Sequence, residues 1–153
     1  MIAVDLASHT RDIVVEETFP HAAATLWKVL TDPDLMGRWL MKPTGFEPVV
    51  GNRFTFQTTP AGPWDGLIRC EVLEVVANER LAHSWKGGDE ANTEYGSLLD
   101  TVVTWTLAQS EAGTRLRLVH SGFRPQNDFS FRNMSNGWPK VVRRVDELAA
   151  EEV

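Results

Sequence analysis

The residues able to do chemistry are few in this chain and widely separated. Its four histidines show neither a pair four positions apart nor a carboxylate at ligand spacing, which are the patterns typical of a protein metal site; they are His9, His21, His83 and His120. The sequence therefore predicts no metal site and no cofactor.

His120 is the one titratable residue for which a chemical role can be argued. It continues the twofold spacing of Leu116 and Leu118, so we expect its ring to point toward a cavity between the sheet and the last helix. A neutral imidazole there could orient a ligand or take a proton. The alternative is a buried histidine whose ring is satisfied by a backbone partner. His83 holds the same kind of position.

The remaining candidates for catalysis have simpler interpretations. Cys70 alternates with apolar neighbours and has no basic residue beside it, which favours a small core residue over a nucleophile. Asp65 and Asp100 are expected at turns and rims, where carboxylates are normally solvated. The paired Arg143 and Arg144 fit an outer helix face. No phosphate-binding glycine loop, nucleophile elbow or catalytic-triad spacing is present. We therefore predict no catalytic residue.

Aromatic residues are the more informative set. Six tryptophans in 153 residues exceed what packing alone usually requires, so some are expected to line a cavity for a flat or apolar ligand, because indole offers a large apolar area and one N–H donor. The predicted lining residues are Trp39, Phe54, Phe56, Trp85, Trp105, His120, Met134 and Trp138.

The elements that would position these residues follow from the hydrophobic spacing. Residues 12–19 alternate like a strand, and apolar residues at helical spacing follow Pro20. Thr31 and Asp34 resemble a capping box for a second short helix that has Pro33 in its first turn. From residue 46 to about 118 the period is two, which predicts antiparallel strands, and Lys86 to Ser97 is the longest loop and a mobile rim.

One apolar stripe runs from Phe131 to Ala149, straight through Gly137 and Pro139. It predicts one long helix with a kink or local rewinding at Pro139, and a close backbone approach at Gly137. The predicted fold class is α+β, with a curved antiparallel sheet of about seven strands around a long C-terminal helix. Two short helices follow the first strand.

Length and composition restrict the class of protein. The 153 residues predict one domain spanning 1–153, with a core at about 12–150. The net charge of −6 without a basic block argues against nucleic acid and anionic membranes. No apolar run is long enough to cross a membrane, and the N-terminus lacks the pattern of a secretory signal. With a lone cysteine, a reducing cytoplasm is the expected compartment.

In this order, several short motifs resemble the START-like, or SRPBCC, superfamily with its helix-grip (Bet v-like) fold. Within it the chain is similar to the family named for the C-terminal domain of the activator of the heat-shock-protein-90 ATPase, over about residues 12 to 150. The motifs that carry this resemblance are Thr31-Asp32-Pro33 to Trp39, Gly51-Asn52-Arg53-Phe54, Gly66, Glu71 to Val75, Glu79-Arg80-Leu81 with Trp85, His120-Ser121-Gly122-Phe123, and Gly137-Trp138.

Three functions remain open at this point. The first is a non-enzymatic domain that binds a small hydrophobic or aromatic molecule between the sheet and the last helix. The second, implied by the resemblance, is a chaperone-accessory role in protein interaction, for which a homodimer is also considered. The third is an enzyme like the polyketide cyclases, in which His120 would supply acid or base assistance.

Overall fold

The computed structural model describes residues 10–152, which form one mixed α and β arrangement. Strand β1 (Arg11–Phe19) leads into helices α1 (Ala23–Thr31) and α2 (Pro33–Trp39). Five strands follow, and a 3₁₀ turn at Pro125–Asn127 then leads into the long helix α3 (Asp128–Glu151). The strands are β2 (Arg53–Gln57), β3 (Leu67–Val76), β4 (Arg80–Gly87), β5 (Leu99–Ser110) and β6 (Gly113–Phe123).

The strands form a single antiparallel sheet in the order β1-β6-β5-β4-β3-β2. Each strand beyond β1 pairs with the next along the chain, and β1 closes onto β6. The predicted helix-grip architecture is confirmed, with six strands in the described residues where about seven were expected. The segment before β2 contributes only an isolated bridge from Thr44 to Thr55.

The start of α2 differs from the predicted capping box. Asp32, not Thr31, is the N-cap residue, and its carboxylate accepts hydrogen bonds from the backbone N–H groups of Asp34 and Leu35. Thr31 ends α1, and its hydroxyl donates to the carbonyl of Trp27 instead. Asp at this position satisfies two orphan donors, because its short side chain reaches the second and third residues of the helix. Pro33 does occupy the first turn, as predicted.

Helix α3 runs unbroken through Pro139, which confirms one helix in place of two. The expected close approach at Gly137 is wrong: a Cβ built there meets no atom within 4 Å. Ion pairs from Lys28 to Glu152 and from Arg38 to Glu151 join α1 and α2 to the C-terminal end of α3. The first half of the helix lies over the other end of the sheet.

The inward faces of the strands carry the apolar residues that the twofold pattern predicted. Val72, Val103, Leu116 and Leu118 are completely inaccessible to solvent. They pack with the apolar stripe of α3 and with α1 into one contiguous core. Burial of these apolar side chains stabilises the fold through the hydrophobic effect. No helix among residues 10–152 is long and apolar enough to cross a membrane.

Candidate functional site

A cavity of about 320 Å³ opens between the first half of α3 and the end of the sheet formed by β3 and β4. Its volume is at the lower end of the range typical of small-molecule sites. Helix α3, the segment after α2, and the loops before β3 and before β5 complete its walls. The lining residues are Leu40, Met41, Thr58, Trp64, Ile68, Trp85, Gly87, Tyr95, Gly96, Ser97, Leu99, Ser130, Asn133, Met134, Gly137, Trp138 and Val141.

Most of the cavity surface is apolar. Trp85 on β4 and Trp138 on α3 form its inner wall, with ring centroids 6.1 Å apart. Met41 and Met134 are partly buried beside them. Because the thioether side chain is flexible and polarisable, such residues adapt to ligands of different outline. The wall therefore suits a ring compound of modest size.

Two loops close the mouth of the cavity, and side-chain hydrogen bonds join them. The amide of Asn92 donates to the carbonyl oxygens of Ala61 and Gly96. The Tyr95 hydroxyl donates to the carbonyl of Thr59 over 2.7 Å, and the Trp64 ring packs against Tyr95. The loop that was predicted as a mobile rim thus borders the cavity, with Tyr95 itself exposed. Its mobility stays a prediction.

A polar cluster forms one end of the cavity. Ser97 and Ser130 are both buried, and their hydroxyl oxygens lie 3.4 Å apart. The Asn127 amide donates to the Ser97 hydroxyl at 3.1 Å and to the carbonyl of Leu98 at 2.9 Å. Its own oxygen accepts from the backbone N–H of Arg124. Both amide protons of Asn127 are therefore used in holding this end together.

Of the eight predicted lining residues, Trp85, Met134 and Trp138 line the cavity. The other five pack in the core next to it. Trp105 lies against Trp39 and Trp138, with centroids 5.3 and 6.0 Å away, and Phe56 lies against Trp85.

Phe54 lies farther from the cavity, on the other side of Phe56 from Trp85. Its ring meets Phe46, Phe56 and His83 edge-on, at centroid distances of 4.9, 5.6 and 5.2 Å. Aromatic pairs prefer this geometry, because the positive ring edge faces the negative ring face. This part of the predicted site is solid packing.

His120 is completely buried, and both ring nitrogens are bonded to side chains. The Trp138 N–H donates to Nδ1 over 3.0 Å. The Thr101 hydroxyl donates to the carbonyl of Trp85, so at 2.8 Å from Nε2 it accepts the proton that Nε2 carries. Burial, and then the neighbouring His83, lower the pKa of His120 to about 3. The ring is neutral and its hydrogen bonds are complete, as in a structural histidine, although its partners are side chains and not the backbone.

The other titratable candidates also lie outside the cavity. Burial lowers the pKa of His83 to about 4, against the opposing effect of its bond to the carbonyl of Ser84. Burial raises the pKa of the Cys70 thiol to about 12, which suits a core residue. The carboxylate of Asp65 accepts a hydrogen bond from the backbone N–H of Leu67. Asp100 is exposed, and its Oδ1 lies 3.8 Å from Nζ of Lys86.

The lining residues that sequence reasoning missed include Trp64, Tyr95, Ser97 and Ser130. Ser130 could have been found, because it precedes Met134 by one helical turn and so shares its face. The first three lie in loops, where no periodic pattern indicates the direction of a side chain.

The comparison with known families agrees with this architecture. The sequence model of the family described as Activator of Hsp90 ATPase homolog 1-like protein matches residues 20–150. The chain belongs to this family. No match is found among curated proteins.

Several solved structures share this fold. The protein MLL2253 from Mesorhizobium loti is 36% identical over 92% of this chain and 98% of its own, with a TM-score of 0.79. The protein BH1534 from Bacillus halodurans is 20% identical over 91% and 96%, with a TM-score of 0.71. The Aha1 dimer from Colwellia psychrerythraea is 17% identical over 90% and 94%, with a TM-score of 0.68. The last two likenesses concern the fold alone.

Proposed function

We propose that this member of the Activator of Hsp90 ATPase homolog 1-like family binds a small hydrophobic or aromatic molecule in the cavity beneath α3, without chemically changing it. The observation that carries the proposal is the cavity itself. It combines a tryptophan wall, adaptable methionines and a few polar side chains, which are Thr58, Ser97, Ser130 and Asn133, the composition typical of small-molecule sites.

The chemistry of the lining favours binding over catalysis. Within the described residues 10–152, no carboxylate, imidazole, thiol, ammonium or guanidinium group lines the cavity. A cyclase of the polyketide type would need a positioned acid or base within reach of the bound chain. His120, the residue considered for that role, is neutral, and both of its ring nitrogens are engaged.

Gly137 offers a direct test, because it lines the cavity and has open space where a side chain would begin. The variant Gly137→Leu should place an isobutyl group in the cavity, whereas Gly137→Ala adds one methyl group and serves as the matched control. Both residues are good helix formers, so α3 should remain folded. Binding of a panel of aromatic and fatty probes is followed by intrinsic tryptophan emission.

We expect saturable emission changes in the wild-type protein and in Gly137→Ala, and a loss of affinity of about tenfold or more in Gly137→Leu. Circular dichroism checks that the helix content of the two variants is equal. If no probe from the panel binds the wild-type protein, or if Gly137→Leu binds as well as Gly137→Ala, the proposal fails.

A chaperone-accessory role is the second candidate, and the family description is its first support. A feature of the surface adds to it: Val49 and Val50 are 57% and 61% exposed at the turn before β2, and Leu73 is 45% exposed on β3. Exposed apolar side chains near one another suit a protein partner. This role predicts that the double variant Val49→Ser, Val50→Ser binds a chaperone partner more weakly, while its cavity still binds the aromatic and fatty probes.

The same surface could serve a second copy of the chain, and the Colwellia relative is described as a dimer. Sedimentation analysis tests this: a wild-type dimer that the double variant turns into a monomer would indicate self-association through this surface.

The cytoplasm stays our proposed compartment, on the argument from the lone buried Cys70.

A further inference from the structure

The polar end of the cavity restricts the chemistry of its ligand through the supply of hydroxyl protons. Asn127 donates one amide proton to Ser97 and the other to the carbonyl of Leu98. Ser97 therefore accepts a hydrogen bond and still has its own proton to donate. Among residues 10–152, the other side chain within hydrogen-bond distance of the Ser97 hydroxyl is Ser130.

Two hydroxyl groups bring two protons, and the contact between them can use only one. Whichever serine donates across the contact, the other retains a proton that has no acceptor among the described residues. The 3.4 Å separation also exceeds the 2.5 to 3.0 Å of a well-formed O–H···O bond. Ser97 is 3% and Ser130 is 7% exposed, and both line the cavity, so the space that the spare proton can reach is the cavity itself.

Asn127 sets the direction of the hydrogen bonds in this cluster. When Ser97 accepts from Asn127 and donates to Ser130, each bond polarises the next in the same sense. Ser130 is then the last member, and its proton is directed to the cavity that it lines. A ligand that supplies an acceptor oxygen at this position gains a hydrogen bond from a preorganised, buried hydroxyl group.

Charge restricts the ligand further. No charged side chain lines the cavity within residues 10–152. Transfer of an ionised group from water into such an environment is strongly unfavourable unless a partner of opposite charge is present. The spare donor thus calls for a neutral acceptor, such as a ketone oxygen, and not for a carboxylate.

We propose that the cavity selects an uncharged ring compound with an acceptor oxygen at one end, bound by the Ser130 hydroxyl while the rings lie against Trp85 and Trp138. This selectivity rests on the proposed binding function and deepens it. The limited volume of about 320 Å³ fits a compound of about two fused rings.

Three matched probes test the selectivity by calorimetric titration of the full chain. They are acetylnaphthalene, isopropenylnaphthalene and naphthoate, substituted at the same ring position. The first carries an acceptor oxygen, the second has the same shape without it, and the third carries a negative charge. We expect acetylnaphthalene to bind about two- to tenfold more tightly than isopropenylnaphthalene, the range for one hydrogen bond, and naphthoate to bind most weakly.

The variant Ser130→Ala should reduce the ratio between the first two affinities to about one, while isopropenylnaphthalene binds as before. Ser135→Ala is the control on the same helix: Ser135 donates to the carbonyl of Phe131 and does not line the cavity. This control should keep the full ratio. Unchanged binding of isopropenylnaphthalene shows that each variant is folded.

The failure of this inference can be distinguished from failure of the binding function. If wild-type protein binds acetylnaphthalene and isopropenylnaphthalene equally, or if Ser130→Ala keeps the preference, the selectivity is wrong and the cavity still binds ligands. If naphthoate binds most tightly, the argument from charge is wrong. If none of the three probes binds, the binding function falls with it.

Discussion

The two sides of Trp138 differ in how completely their polar groups are paired. On the core side, His120 bonds through both nitrogens, to Thr101 and to Trp138. On the cavity side, the Ser97 and Ser130 hydroxyl groups share a single long contact, which uses only one of their two protons. A buried network in which every donor and acceptor is paired stabilises one native arrangement. A network with a spare donor can instead bind a ligand that brings an acceptor. The difference separates a structural histidine from a candidate recognition group.

The largest expected effect concerns Trp138 itself, which is 4% exposed. Trp138→Ala should lower the free energy of unfolding by about 3 to 5 kcal/mol, because it empties core volume and leaves Nδ1 of His120 without a donor. Trp64→Ala, at the partly buried mouth, should cost about 1 kcal/mol. Denaturant midpoints measure both. Equal losses would show that the two sides are not energetically distinct.

Acid should destabilise the fold through its two buried histidines, His120 beside Trp138 and His83 beside Phe54. The folded-state pKa values of His120 and His83 are about 3 and about 4, below the unfolded value of about 6.5. Below about pH 6.5 the two histidines bind protons in the unfolded chain but not in the folded one. Their contribution to stability is therefore complete above about pH 6.5 and is lost as the pH falls toward 4 and 3. Each histidine contributes a slope of up to about 1.4 kcal/mol per pH unit.

The change His83→Phe isolates one histidine, because it retains a ring against Phe54 and removes a titrating group. The difference between wild type and variant cancels the carboxylates that titrate in the same range. We expect the variant to lose stability less steeply between pH 6.5 and 4.5. Parallel urea-derived stability curves for the two proteins would contradict a neutral buried His83.

The smallest expected effect compares two helical glycines. Gly137→Ala should raise the free energy of unfolding by about 1 kcal/mol, the helix-propensity difference, because nothing crowds the new methyl group. Gly37→Ala in α2 should gain less, since its Cβ would lie 3.2 Å from that of Lys42. Thermal unfolding of both variants makes the comparison. An equal gain at both positions would contradict the local crowding at Gly37.

Periodicity explains what could be predicted from the sequence. The alternation along β5 and β6 and the stripe on α3 required burial of one face, and the structure buries the faces that contain Trp105, His120 and Trp138. The cap at Asp32 was misassigned to Thr31, because a Thr-Asp-Pro-Asp segment offers two acceptors and only the backbone angles select one.

The site was less predictable, for a geometric reason. A pattern along one strand gives the face of a side chain, not whether the space before that face is filled. Phe54 and Trp85 both point inward, yet Phe54 meets other aromatic rings and Trp85 meets the cavity. That outcome depends on Trp64 and Tyr95, which arrive from loops distant in sequence.

Four indole rings form a continuous row from α2 to the cavity. Trp39 lies 5.3 Å from Trp105, Trp105 lies 6.0 Å from Trp138, and Trp138 lies 6.1 Å from Trp85. At such separations the electronic transitions of neighbouring indoles couple, and excitation migrates among them. An occupant of the cavity should therefore alter the exciton bands of the near-ultraviolet circular dichroism spectrum, as well as the emission of the tryptophans that it touches.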